Sequence, residues 1–174
     1  MMPISTSKYW LVVATGLLAS TTTWASCTSA LSAGTCSATV SATVLAFGSY
    51  DPNSGIAKDV TSTMTVSATV FGVSLLTTIS YTISLGTGVT GSIADRRMTG
   101  GSGGGSSLSY NLYTTSNRDV VWGANGVADS MSAIAIILGT PISKTYTVYG
   151  RIPAGQYVSS GSNYVDTVIV NVNY

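Results

Sequence analysis

The stretch YVDTVIVNVNY, residues 164–174, decides the fold. Tyr164, Asp166, Val168, Val170, Val172 and Tyr174 fall on one parity, and Val165, Thr167, Ile169, Asn171 and Asn173 on the other. A period of two is that of a β-strand with one buried face. Residues 73–85 repeat it, with Ile79, Tyr81, Ile83 and Leu85 set against Thr78, Ser80, Thr82 and Ser84. Further strands are predicted at 37–47, 62–71, 107–114, 131–138 and 144–151, all rich in Val, Ile, Thr and Tyr. Turn signals separate them at 51–55 (DPNSG), 86–88 (GTG), 99–107, 123–126 and 153–155 (PAG). The glycine run at 100–105 reads as a hairpin loop, since neither side of it is long enough for a separate domain. No stretch carries a convincing helical period, so the chain is all-β, a sandwich or a barrel.

Composition narrows the function by exclusion. The chain has 174 residues, 7% of them charged, and no histidine. All six acids are aspartates. Without histidine there is no Ser-His-Asp or Cys-His apparatus, and two cysteines alone make no structural zinc site. Six scattered aspartates show no spacing that pairs them as glycosidase carboxylates. The chain is therefore read as a non-enzyme with no cofactor and no metal. A formal charge of +1 without a basic cluster leaves no footprint for nucleic acid. Serine and threonine supply roughly 30% of the residues, where soluble domains carry about 25% charged ones. That hydroxyl-rich surface is the feature to explain.

Smaller motifs resolve into structure. Asp51-x-Asn53-x-Gly55 has the outline of a calcium loop, but Pro52 and the missing glutamate make it a tight turn. Asp95-Arg96-Arg97 and Arg118-Asp119 read as solvated surface pairs.

The first 25 residues read as an export leader. Lys8 precedes the apolar run 9–19, polar Ser20 to Thr23 follow, and Ala25 offers a small-residue cleavage site. The run is too short for a stable membrane span, which needs ~20 apolar residues. Trp24 argues against a lipoprotein signal at Cys27. Cleavage would leave a single domain, 26–174, and remove Lys8, bringing the formal charge from +1 to zero. Cys27 and Cys36 suit an oxidising compartment, as a bridge, as free thiols or as a link to another chain.

Several segments, in order, resemble the spore coat protein U domain family, which includes subunits of archaic chaperone–usher pili. They are CSATVSATVLAFGSYDP from Cys36, ADRRMTGG, LSYNLYTT followed by VVWG, YTVYGRIPAGQ and the terminal YVDTVIVNVNY. The resemblance implies an immunoglobulin-like β-sandwich that is incomplete, missing its final strand and completed by a donor strand. It implies no enzyme but a secreted structural subunit of a bacterial surface fibre, serving attachment and biofilm formation. Its partners would be a periplasmic chaperone, an outer-membrane usher and sister pilus subunits. Its place would be the cell surface or fimbrium, reached through the periplasm. The groove would lie between strands 37–47 and 164–174, lined by Val40, Val44 and Phe47 on one side and Val168, Val170 and Val172 on the other. The terminal strand agrees, since its alternation runs to Tyr174 with nothing following to cover that edge.

Two departures qualify the carry-over. Many relatives place a second cysteine near the position of Ala68, whereas this chain has Cys27 upstream, so a Cys27–Cys36 disulfide is expected. Residues 26–35 contain one large aliphatic, Leu31, and make a poor donor segment. A tip-like or terminating subunit is the expectation. The alternatives are a non-polymerising spore-coat or adhesive protein of the same fold and, more remotely, a small outer-membrane β-barrel.

Overall fold

The computed structural model describes residues 6–13, 23–25, 35–71, 77–100, 105–133, 141–159 and 164–174. Cys27 lies outside them, so the expected Cys27–Cys36 bridge does too. The described residues form eleven strands: β1 (Thr6–Val13), β2 (Thr23–Ala25), β3 (Thr35–Ala42), β4 (Lys58–Phe71), β5 (Thr77–Leu85), β6 (Thr90–Gly91), β7 (Arg96–Gly100), β8 (Ser106–Tyr113), β9 (Val127–Ala133), β10 (Pro141–Ile152) and β11 (Asp166–Asn173). Every pairing is antiparallel, in a four-stranded sheet ordered β1-β11-β5-β9 and a seven-stranded sheet ordered β2-β3-β4-β10-β8-β7-β6. Among the described residues the two sheets pack as a sandwich, where an outer-membrane barrel would need one closed sheet.

The alternation explains the packing. In β11, Asp166, Val168, Val170 and Val172 are buried while the residues between them are half-exposed. In β5, Ile79, Tyr81, Ile83 and Leu85 point inward, as the parity requires. The opposite sheet contributes Val40, Met64, Val66, Leu112, Val148 and Ile152 to the same core. β7 and β8, on either side of the glycine run, pair antiparallel with Gly100 opposite Ser106, and 101–104 lie outside the described residues. Residues 51–55 form a turn held by their own bonds: Asn53 N–H donates to Asp51 Oδ1 at 2.9 Å, and Gly55 takes φ +67°.

Three differences from the sequence reading have physical causes. Strand 37–47 ends early. The ladder to β4 stops at Ala42 opposite Met64, and Thr43 then bonds Thr63 O through its N–H and its hydroxyl, at 2.9 and 3.0 Å. The chain leaves the ladder there and the parity shifts, so Leu45 and Phe47 are the buried side chains and Val44 is half-buried. Second, the strand read at 131–138 is observed at Val127–Ala133, and 134–140 lie outside the described residues. Third, Asp95-Arg96-Arg97 is not one solvated cluster. Asp95 and Arg97 pair at the surface at 2.7 Å, but Arg96 is 0% exposed. Arg118 and Asp119 also part: Arg118 pairs with Asp59 at 3.3 Å, and Asp119 takes the Thr115 hydroxyl.

Candidate strand-acceptor site

β11 lies between two partners. On one side it pairs β5, with Val170 opposite Leu85 and Val172 opposite Ile83. On the other it pairs β1 over eight residues, with Thr6 opposite Asn173, Tyr9 opposite Val170, Leu11 opposite Val168 and Val13 opposite Asp166. The outer flank of β11 thus carries a complete antiparallel ladder, and its second strand comes from the segment read as the export leader. β3 stands in the same position in the other sheet. It pairs β4 along its length, and on its outer side, among the described residues, β2 covers its first half, with Thr23 opposite Ala38 and Ala25 opposite Cys36.

The residues expected along a groove therefore lie on β3 (Val40), on the segment that follows it (Val44 and Phe47) and on β11 (Val168, Val170 and Val172). Val40 and Phe47 on one side and Val168, Val170 and Val172 on the other belong to a single buried cluster. Val44 is half-buried, and Leu45, which is not in the expected set, is fully inside. Ala68 is buried and stands opposite Ala38, while Cys36 stands opposite Val70.

The start of β11 is pinned to the rest of the sandwich by polar side chains. Asp166, buried in its first position, accepts the Tyr110 hydroxyl on Oδ2 at 2.6 Å. Its Oδ1 accepts the N–H groups of Val89 and Thr167 at 2.7 and 2.8 Å. Tyr110 belongs to the opposite sheet, so this bond crosses the core. Burial, and then the hydrogen bond to Asp166, push the Tyr110 phenol well above its ordinary pKa. The loop fits tightly around the carboxylate. Gly88 takes φ +89°, and a Cβ there would lie 2.0 Å from Asp166 Oδ2. One residue earlier, Val165 and Thr99 exchange two backbone hydrogen bonds at 2.9 and 3.0 Å, joining β11 to β7.

Beside this lies Arg96, on the inner face of β7. Its Nε donates to Gly86 O at 2.8 Å, and Nη2 donates to Trp122 O at 2.7 Å and Leu85 O at 3.4 Å. Nη1 donates to Asn111 Oδ1 at 2.5 Å. Asn111 Nδ2 donates in turn to Ile93 O and Ala94 O, and Trp122 Nε1 to Ile83 O. Burial lowers the Arg96 pKa, yet a guanidinium stays charged in a protein. The carbonyl dipoles around it replace the water it has lost. Arg96 shares its inward parity with buried Met98, and Arg97 shares the outward one with exposed Thr99.

These side chains fall on the motifs that run through the chain, and comparison with known proteins agrees. Residues 14–171 match the family described as "Spore Coat Protein U domain". The chain belongs to the spore coat protein U domain family. Among curated proteins it is similar to "Protein U" of Myxococcus xanthus, 31% identical over 135 residues, covering 75% of this chain and 71% of that protein. No solved structure matches it.

For the coat-U domain, the motifs acquire physical meanings. In FGSYDP, the Tyr50 hydroxyl donates to Pro153 O at 2.8 Å and accepts Gln156 N–H at 2.9 Å, tying it to RIPAGQ. Gln156 clasps Ser109 of β8 on both sides, donating to its O and accepting its N–H. Gly150, ahead of RIPAGQ, leaves room for Leu45 and Phe47: a Cβ there would sit 2.9 Å from each. YNLY supplies Tyr110 and Asn111, VVWG supplies Trp122 and the terminal segment supplies Asp166. The motifs therefore encode pins between the sheets, as at Tyr110 and Asp166, and pins within the larger sheet, as at Gln156 and Ser109.

Proposed function

We propose that this coat-U domain is a structural subunit of a bacterial surface fibre of the chaperone–usher type, assembled by donor-strand complementation and serving attachment and biofilm formation. The observation that carries the reading is the eight-residue antiparallel ladder of β1 on β11. That flank takes a strand, and the strand it takes belongs to residues 1–25, the proposed export leader. Cleavage after Ala25 would remove β1 and β2 together and open the flanks of β11 and β3. A periplasmic chaperone would fill the opening first, and a sister subunit's extension would replace it at an outer-membrane usher. Backbone hydrogen bonds then give affinity, and alternate side chains give specificity. Val40, Val44, Phe47, Val168, Val170 and Val172, with Leu45, line the proposed groove. The family's coat- and fimbria-type subunits support a structural role over an enzymatic one.

The poor donor character of residues 26–35 supports a tip-like or terminating position, with Cys27 and Cys36 bridged beside it. The family's spore-coat description favours a second reading, a non-polymerising coat or adhesive protein of the same fold.

The two readings part on one experiment. Residues 26–174 are produced alone, with a chaperone, and with a synthetic peptide of residues 6–13. The fibre reading expects aggregation alone and a soluble monomer with either addition. A stable monomer that ignores the peptide sinks the open-groove idea and leaves the coat protein. Tight complementation of a sister subunit by peptide 26–36 would sink the tip-like position.

A further inference from the structure

The turn that leads into β9 is held at both ends and open in the middle. Gly126 N–H donates to Gly123 O at 3.2 Å and closes the turn. Both glycines are pressed against neighbours. A Cβ on Gly123 would lie 2.5 Å from Ile93 Cγ2, and one on Gly126 would lie 2.7 Å from Ile83 O. Gly126 also takes φ +68°, in the left-handed region that glycine enters freely. Between them Ala124 and Asn125 are exposed. Asn53, Asn117 and Asn125 are the exposed asparagines among the described residues. Ser54 follows the first and Arg118 the second, and only Asn125 is followed by a glycine.

We propose that Asn125 is a site of spontaneous modification, where the side-chain amide is lost and aspartate and isoaspartate form. The reacting atoms are neighbours along the chain. The Gly126 main-chain nitrogen gives up its proton to solvent and attacks Asn125 Cγ. A new C–N bond forms, the bond from Cγ to Nδ2 breaks, and Nδ2 leaves as ammonia with a proton from water. Water then opens the cyclic imide. Breaking its bond from nitrogen to Cγ gives aspartate, and breaking the bond from nitrogen to the Asn125 main-chain carbonyl carbon gives isoaspartate. The net exchange is one water taken up for one ammonia released.

The turn favours this reaction at Asn125 over the other two positions. Gly126 has no side chain beside the attacking nitrogen, whereas Ser54 and Arg118 crowd the same approach. The bond that engages Gly126 N–H is at the long limit of an ordinary N–H···O bond, so little is lost in releasing it. The clamped ends then decide the consequence. Isoaspartate routes the main chain through the former side chain and lengthens the turn by one CH₂, while Gly123 and Gly126 have no room to move apart. The displacement falls on Ile83, which stands opposite Val127 in β9 and Val172 in β11. Ile83 O also accepts Trp122 Nε1 at 2.9 Å, so the lengthened turn is sensed by Trp122. Aspartate leaves the main chain unchanged and is not sensed there.

The test incubates the folded full chain in neutral and in mildly alkaline buffer and maps its peptides. Asn125 is expected to lose its amide about tenfold or more faster than Asn53 or Asn117, and faster again in the alkaline buffer. Each event lowers the formal charge from +1 to zero, so an acidic form should grow on isoelectric focusing. Asn125→Gln, whose longer side chain closes the ring poorly, should not develop it. The isolated isoaspartate form is expected to show shifted tryptophan emission, and freshly made Asn125→Asp the emission of the parent. An Asn125 amide that lasts as long as those of Asn53 and Asn117 overturns the proposal. Loss confined to the chain in urea overturns it too, because the folded turn would then be protective. Unchanged emission from the isoaspartate form would refute the coupling through Ile83 to Trp122. The chemistry needs no partner or fibre, so its outcome is separate from that of the functional reading.

Discussion

Two neighbouring arginines show how far burial separates residues that look alike in sequence. Arg96 has four bonds in the core, so Arg96→Ala would take their donor from the carbonyls of Gly86 and Trp122 and leave Asn111 Oδ1 with the Leu112 N–H alone. Buried charged partners of this kind cost about 3 kcal/mol or more when one is removed. Arg97, half-exposed beside Asp95, is worth ~0.5 kcal/mol at most. Urea midpoints of the two alanine variants should therefore differ widely, and equal midpoints would refute the core role of Arg96. Ser62 presents the reverse case. Its hydroxyl is buried with no hydrogen-bond partner, so Ser62→Ala should raise stability by about 1 kcal/mol in the same titration. A lower midpoint would mean that the hydroxyl has a partner after all.

At the scale of elements, β5 and β11 were legible because each has one fully buried face and the period-two signal is then hard to miss. β7 was not, because a positive charge occupies its first inward position and reads as surface. The strand 37–47 was half legible. Its alternation is real as far as Ala42, but the shift after Thr43 is set by bonds to Thr63, twenty residues away in sequence. β1 was hidden behind another signal, since an apolar leader and an apolar strand have the same composition. Of the groove residues that the resemblance implied, Val40, Phe47, Val168, Val170 and Val172 belong to the buried core, while Leu45 required knowing where β3 ends. Gly150 tests that junction. Gly150→Val would force β-branched bulk onto Leu45 and Phe47 and should cost about 1–3 kcal/mol. An unchanged thermal midpoint would show that the 43–50 segment can move aside.

For the whole molecule, stability should fall at both ends of the pH scale. On the acid side, the Lys144 hydrogen bond, with help from Ser130 N–H and Tyr146, holds the Asp129 carboxyl down at about 2 from 3.8. A depressed carboxyl stabilises above its unfolded pKa and ceases to as pH drops toward the folded one, so this contribution disappears between about pH 4 and 2. Asp129→Asn should flatten that part of a stability–pH curve, and an unaltered curve would deny Asp129 the role. On the alkaline side, Tyr110 and Tyr146 are pushed up, chiefly by burial. Their contribution is complete below about pH 10 and is lost above it, so Tyr110→Phe should soften the alkaline fall. The Arg96 bonds carry a consequence for sequence drift. Three of its four acceptors, Gly86 O, Leu85 O and Trp122 O, belong to the main chain, which every amino acid supplies. Evolution is therefore free to vary the residues that Arg96 holds there, and selection for those bonds falls on the arginine alone.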